Sequence, residues 1–385
     1  MKVVHVTLRF DAPGGVETNV RELARRMKTA GDDVEVFASD LYDEAGWDRR
    51  SNYRPTVDGV PVRRFAVRRK LVPIVTLPMM VGLVDALAES GADVIHAHSH
   101  RYGHVLQAAA VAERRHIPLV ISTSYHPPDH RESRRNRALL RLDDVAFGMT
   151  AYRVARAIAV QSELEARLVR EFAPHDRVRI VPPGVDLAEW SHPQTDRIEG
   201  LGLPPDYFVF AGRAAANKGL PGLIEALATL PAASRRPVVL LGSDWGERAG
   251  LDALARRRGV SDLLHWAGYL PERSQYRAVI RGARALVLPS EWEAYGFVLL
   301  EAMAAGTPIV ATAVGAVPEV LEGGRAGRLV PYGDPTALGA ALRSVREDPD
   351  ATRRLVEAGA AKVRELDWSR SAERFRTLYR EVVAG

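Results

Sequence analysis

Short apolar runs alternate with helix-length amphipathic segments along this chain, and the alternation starts twice. In the first half the runs are Lys2–Phe10, Asp33–Ala38, Asp93–Ala97, Pro118–Ser122 and Ala157–Gln161. In the second they are Tyr207–Gly212, Pro237–Leu241, Ala285–Pro289 and Pro308–Ala311. Between them lie helical segments. Val16–Ala30 carries Val16, Val20, Leu23 and Met27 at helical spacing, and Gly219–Leu230 and Glu247–Gly259 also read as helices. Strands alternating with helices predict parallel sheets covered on both faces. Residues 182–206 are rich in Pro, Gly, Asp and His and mark a boundary between the two series. Two doubly wound α/β domains with a cleft between them are the expected assembly, and 385 residues suffice for about two domains.

Composition excludes several classes. The chain has no cysteine, hence no disulfide framework, thiolate metal site or Cys nucleophile, which fits a reducing cytoplasm. MKVVHVTLRF runs straight into a strand-like segment with no signal-peptide pattern. No stretch approaches about 18 uninterrupted apolar residues, so no membrane span is expected. A net charge of +5 and a pI near 9.5 suit anionic ligands such as sugar nucleotides, phosphates or acidic lipids. The basic clusters lack interleaved aromatics, and no nucleic-acid-binding motif is present.

Residues 291–312, EWEAYGFVLLEAMAAGTPIVAT, carry the strongest chemical signal. From Phe297 to Ala305 every residue is apolar or small except Glu301, which predicts a buried helix. A lone carboxylate there needs a hydrogen-bonding partner. A pair of vicinal hydroxyls on a ligand would serve, and so would a protein Arg. Glu293 lies in the turn before the helix, where it can reach a ligand over the helix N-terminus. The alternative is that Glu291 and Glu293 only complement the helix dipole.

Other segments allow two readings each. The loop GRAAANKG, 212–219, puts Arg213 and Lys218 on a small-residue loop that leads into a helix. It is either a phosphate site or an ordinary exposed basic loop. Gly14 and Gly15 follow the first strand and leave backbone amides open to a phosphate, as many strand–helix turns do. Ser162–Glu165 reads as a capping box opening a helix Ser162–Phe172. His96, His98 and His100 alternate at a strand end and are expected to point the same way, as metal ligands or not. Residues 63–90 place a basic cluster before an apolar, partly helical stretch. That stretch is either a surface for anionic lipid or a lipid-linked acceptor, or a solvated loop leading to a core helix. Pro73 and Pro78 favour the loop. Asp348–Pro349–Asp350 reads as a helix-capping turn, and Trp368–Val383 as a terminal helix with Ser369 at its N-cap.

The stretch Glu293–Gly306 resembles, without a gap, the E-x₇-E signature of retaining glycosyltransferases of family 4, the group 1 glycosyltransferases with the GT-B fold. The likeness extends over nearly the whole chain. It implies two Rossmann-like doubly wound domains facing a central cleft: 1–190 binding acceptor, 191–368 binding donor, and 369–385 a helix crossing back onto the first domain. The GGVE context of Gly14 and Gly15 resembles the family's donor-facing first loop. The GR…KG pattern of Arg213 and Lys218 resembles its diphosphate clamp. His126, just past a strand end, matches a loop histidine that contacts the donor sugar, with His130 as second choice. The strand end bearing His96 and His98 is also familiar in members that use no metal, so no metal site is expected. The nucleobase is expected near Trp266–Pro271. The sequence departs from the pattern at Ala316, where many members have glycine, and at Pro183, where members often have Asn.

The resemblance implies metal-independent transfer of a sugar from a nucleotide-diphosphate donor to a hydroxyl acceptor, with retention and no cofactor. Arg213, Lys218, the 14–15 amides and a helix N-terminus would stabilise the leaving diphosphate. Glu301 would bind the ribose. Glu293 and the turn through Ala294, Tyr295, Gly296, Phe297 and Val298 would hold the sugar. Double displacement requires a carboxylate nucleophile on the far face. The sequence offers no obvious one; the alternative that the resemblance to the family implies is front-face attack, with His126 supporting the sugar. A GT-B epimerase or phosphorylase and a non-catalytic sugar-nucleotide binder are the alternatives. The donor is UDP-, GDP- or ADP-linked; the acceptor is a lipid, glycan or small metabolite; nucleic acid is not a partner. A cytoplasmic location, peripheral at the inner face of the membrane in the lipid reading, accompanies this.

Overall fold

The computed structural model describes residues 1–12, 14–43, 48–49, 53–71, 76–128, 133–191 and 200–385. The chain forms two compact units, Met1–Pro183 with Trp368–Gly385, and Gly184–Asp367.

The first unit contains β1 (Lys2–Thr7), β2 (Asp33–Ser39), β3 (Leu41–Asp43), β4 (Asp48–Arg49), β5 (Thr56–Val57) and β6 (Val60–Phe65). It continues with β7 (Val67–Leu71), β8 (Thr76–Met80), β9 (Val94–His98), β10 (Leu119–Ser122), β11 (Ala157–Val160) and β12 (Val178–Ile180). Its main sheet has the order β12-β11-β10-β9-β1-β2-β6-β5. Every pairing in it is parallel except β5 with β6. Helices α1 (Gly15–Thr29), α2 (Leu83–Ala88), α3 (Gly103–Arg115), α4 (Arg134–Phe147) and α5 (Glu163–Val169) belong to this unit. Alternate residues of β1 supply two core clusters: Val4 and Val6 join one, Val3 the other. This is the double-sided burial that continuous apolar strands require.

The second unit contains β13 (Phe208–Ala211), β14 (Val238–Leu241), β15 (Leu264–Gly268), β16 (Ala285–Leu288), β17 (Ile309–Thr312) and β18 (Arg328–Val330). Its sheet is all parallel, in the order β15-β14-β13-β16-β17-β18. The helices are α6 (Leu187–Trp190), α7 (Leu220–Thr229), α8 (Arg248–Arg258), α9 (Arg273–Gly282) and α10 (Phe297–Ala305), then α11 (Val317–Val320), α12 (Pro335–Glu347) and α13 (Pro349–Val363). The strand order reverses between β13 and β16, which opens a crevice at the strands' C-terminal ends.

Several expectations are corrected. The described part of residues 63–90 holds more strand than helix: it completes β6, forms the antiparallel β7–β8 pair and reaches helix only at Leu83. Pro78 sits opposite Arg69 in that pair, a position that a proline tolerates at a sheet edge. Residues 72–75 lie outside the described residues, as does His130. Ser162 caps α5 by accepting from the Glu165 amide at 3.1 Å, but Glu165 does not return the bond. Its carboxylate takes the Gln161 and Tyr125 amides, both at 2.6 Å, and the Thr123 hydroxyl at 2.5 Å. The C-terminal helix starts at Trp368, so Ser369 is inside it. Asp348 does cap α13, accepting from the Ala351 amide at 2.9 Å. Among the described residues no helix is long and apolar enough to cross a membrane.

The three histidines of HAHSH separate. His96 and His98 share one side of β9, with ring centroids 4.0 Å apart, and His5 of β1 joins them. His100 does not, because Ser99 takes the left-handed conformation (φ 87°) and turns the chain. His5, His96 and His98 are the group of three that could hold a metal among the described residues. His96 uses both of its ring nitrogens, whereas His5 Nε2 is buried without a hydrogen-bond partner. His96 meets Tyr379 Oη at 2.6 Å and Ser122 Oγ at 2.8 Å, and His5 Nδ1 lies 3.0 Å from His98 Nε2. Tyr379 comes from the C-terminal helix, whose Phe375, Leu378 and Val382 complete the second core cluster of this unit. His104 donates from Nε2 to the His98 carbonyl at 2.8 Å.

Burial holds His5 at about 3 and His104 at about 4, and pushes His96 and His98 well below the ordinary value. The unfolded chain titrates near 6.5, so these neutral rings favour the fold above that pH. The contribution is lost as pH falls from there toward the folded values. Each such histidine should cost about 1.4 kcal/mol of stability per pH unit across that window. Denaturant unfolding at a series of pH values checks this. His104→Gln should flatten the slope between about pH 6 and 4 by roughly one proton; an unchanged slope contradicts the assignment.

Candidate active site

The two loops that flank the crevice of the second unit hold most of the residues singled out by the sequence. One follows β13 and carries Arg213 and Lys218. The other follows β16 and carries Glu293. Because β13 and β16 are neighbours, the loops meet. The Glu291 amide donates to the Asn217 carbonyl at 2.9 Å. Lys218 Nζ donates to Glu293 Oε1 at 2.6 Å, and Ser290 Oγ donates to the same oxygen at 2.6 Å. The Lys218 and Glu293 side chains are 16% and 11% exposed, so the pair is shielded without being sealed from solvent.

Two glycines make this approach possible. A Cβ on Gly219, which has φ 65°, would lie 1.9 Å from the Pro289 carbonyl oxygen. Only glycine lets the Lys218 loop rest on the end of β16. Gly315, at φ 54°, does the same for the other loop, since its Cβ would lie 2.0 Å from the Glu293 carbonyl oxygen. The next amide, Ala316, donates to that oxygen at 3.0 Å. Ala316 has an ordinary φ of −83°, so the departure from a second glycine costs this turn nothing.

Arg213 is fixed from the neighbouring strand. Its guanidinium lies 4.1 Å from the ring centroid of Trp245, in the loop after β14. The backbones of the two loops are tied: Ala214 N donates to Ser243 O at 2.9 Å, and Trp245 N donates to Ala214 O at 3.0 Å. Stacking of this kind holds a guanidinium in place.

Glu293 and Glu301 bracket the start of α10. Gly296 is the N-cap and offers no side chain to the first amides, and Tyr295 behind it is buried. The sequence left the partner of Glu301 open between a ligand and a protein Arg. In the structure Tyr276 Oη donates to Oε2 at 2.5 Å, and Arg273 reaches Oε1 at 3.4 Å. Arg273 and Arg277 also bind Glu189 of α6, each at 2.9 Å. Burial raises the Glu301 pKa, and Arg273 and Tyr276 oppose that rise. Trp266 is engaged elsewhere, its indole N–H donating to Asp252 at 2.9 Å, and the first half of Trp266–Pro271 lies in strand β15.

The remaining residues lie in the first unit. Gly14 is the N-cap of α1, without a side-chain cap bond. Glu17 of the first turn pairs with Arg9 at 2.7 Å. His126 is exposed in the loop after β10, and its Nδ1 donates to the Pro127 carbonyl at 2.7 Å. The preceding Tyr125 is buried and donates to Asp144 of α4 at 2.9 Å. Asp144 also accepts from His100 at 2.8 Å and Arg101 at 2.5 Å. Burial pulls its pKa up, but these bonds outweigh that and leave it lowered. Sequence reasoning missed Ser290, Trp245, Tyr276 and Arg273. Trp245, Tyr276 and Arg273 are far in sequence from the groups they support, so no local pattern announced them; Ser290 is only three residues from Glu293.

Residues 192–362 match the family Glycosyl transferases group 1, and residues 13–189 match Glycosyltransferase Family 4. A D-inositol 3-phosphate glycosyltransferase of Streptomyces scabiei is 32% identical over 93% of this chain and 84% of its own length. Another, from Xylanimonas cellulosilytica, is 32% identical over 95% of this chain and 91% of its own. Among solved structures, sucrose-phosphate synthase from Thermosynechococcus elongatus superposes over 100% of this chain and 99% of its own, with a TM-score of 0.77 at 22% identity. Anabaena HepE in complex with UDP covers 99% of this chain and 100% of its own, with a TM-score of 0.78 at 19% identity. The fold is therefore GT-B, two doubly wound domains in one chain, and the chain is a glycosyltransferase that belongs to family 4, the group 1 glycosyltransferases.

Proposed function

We propose that the protein moves a sugar from a nucleotide-diphosphate sugar to a hydroxyl acceptor, with retention and without a metal ion. The observation that carries this is the Lys218–Glu293 contact at 2.6 Å across the crevice of the second unit. It sets a cation and a sugar-binding carboxylate side by side at the strand ends, where doubly wound sheets bind ligands.

In this reading Arg213 and Lys218 neutralise the diphosphate as it departs. Arg213, stacked on Trp245, is pre-positioned and need not reorganise. The uncapped start of α10 at Gly296, Phe297 and Val298 adds amide dipoles. Glu293, with the turn Ala294–Tyr295, holds the sugar hydroxyls. Glu301 takes the ribose hydroxyls, with Tyr276 and Arg273 orienting the carboxylate. Gly14 and Gly15, at the start of α1, and the exposed His126 belong to the first unit. Fixed cations supply the charge stabilisation that a divalent ion would give. A departing phosphate oxygen takes the acceptor's proton as the new bond forms on the same face. HepE, a relative in fold, is described with UDP, with UDP and glucose, and with UDP-glucose, which makes UDP-glucose the first donor to assay. The relatives named for D-inositol 3-phosphate make that cyclitol phosphate the first acceptor.

Lys218→Ala and Glu293→Gln should each lower kcat/KM by about 10²–10³. The melting temperature of Glu293→Gln should stay near that of the wild type. Near-normal turnover in either variant removes its assigned role. Excess EDTA should leave the rate within about twofold of the untreated enzyme, and NMR of the product should show the donor's anomeric configuration. A strict metal requirement, or inversion, contradicts the mechanism.

A further inference from the structure

Helix α4 turns two different faces to its surroundings. Its inner face carries Asp144, which binds Tyr125 next to His126. Its outer face is apolar where a solvated helix should be polar. Leu142 is 65% exposed, Val145 46%, and Met149, in the π-helical turn that continues α4, 67%. These residues recur at intervals of three and four, so they form one stripe along the helix. Ala138 extends it by one turn and is also exposed.

Arginines rim the stripe. Arg134, Arg135, Arg141 and Arg153 are all exposed, one group near the start of the helix, one beside Leu142 and one past Met149. The acids along residues 133–153 are Asp143, whose side chain is 36% exposed, and Asp144. Asp144 is buried, and Asp143 lies on the inner side, 4.0 Å from Arg101. An apolar stripe that is bordered by cations and carries no acid itself matches the boundary between anionic headgroups and acyl chains. The apolar side chains enter the acyl region and the guanidiniums bind phosphates. A protein partner would need its own acidic groove, and nothing on this face selects one.

We infer that the outer face of α4 and the following turn, Arg134–Arg153, docks the protein on an anionic phospholipid surface. The lipid surface would then lie along the helix whose inner face holds the loop bearing His126. The basic segment at 63–90 is folded into strands and is not needed for this attachment.

Vesicle co-sedimentation of the full chain tests it. The wild type should pellet with vesicles of phosphatidylglycerol and phosphatidylcholine and remain in solution with phosphatidylcholine alone. High salt should weaken the binding. The double variant Leu142→Glu/Met149→Glu should lower the bound fraction about tenfold while its melting temperature stays near that of the wild type. The triple variant Arg134→Glu/Arg135→Glu/Arg141→Glu should do the same, and the conservative Leu142→Ile/Met149→Leu should bind like the wild type. No binding by the wild type, equal binding to neutral vesicles, or full binding by the double variant overturns the inference. So does a wild-type dimer that the double variant makes monomeric without any lipid binding, because the stripe would then be a self-association face.

Discussion

The geometry of the second unit rests on one ion pair, Lys218 with Glu293. Two loops from adjacent strands cross the switch point of the sheet, and this contact together with the Glu291–Asn217 backbone bond locks them. A partly shielded pair of this kind contributes little by itself compared with well-packed apolar groups, and removing one partner strands the other. Its value is positional. Gly219 and Gly315 let the backbones come close enough for the pair to form, and Ser290 fixes the shared carboxylate oxygen. The cation and the carboxylate hold each other in place until a ligand divides them.

The same logic explains the support around Arg213 and Glu301. Each of the charged groups meets a residue from another strand or helix: Trp245 after β14 for Arg213, Tyr276 and Arg273 of α9 for Glu301. Long-range contacts of this sort restrict rotamers before any ligand arrives, which is how a site avoids reorganising at the moment of reaction. The first unit follows another principle. It places histidines where apolar side chains would be expected, and each is bonded to a histidine, serine, tyrosine or carbonyl brought from a separate element. The C-terminal helix enters that network through Tyr379, so its docking is chemical as well as hydrophobic.

Alternation of apolar runs with helices made both parallel sheets readable, because buried strands and amphipathic helices have different periods. Glu301 was readable because it is the one charge on an otherwise apolar helix. Its partners were not: Tyr276 and Arg273 lie 25 and 28 residues away, and their side chains converge only after α9 packs beside α10. The basic, proline-bearing 63–90 segment gave no clean two-residue period, and its strands emerge from pairing rather than from local preference. The position of His100 depended on a single left-handed residue, Ser99, which no apolar pattern encodes. The stripe on α4 was present in the sequence as Leu142, Val145 and Met149, but exposure could not be told from burial until the inner face was seen to be filled by Asp144 and Phe147.

A crystal structure with a nucleotide-diphosphate sugar bound is the most direct test of the central claim. The account predicts the diphosphate within hydrogen-bonding distance of Arg213 and Lys218, the sugar on Glu293, and the ribose on Glu301. Electron density for the diphosphate anywhere away from the loop 212–219 and the turn before Phe297 would contradict it.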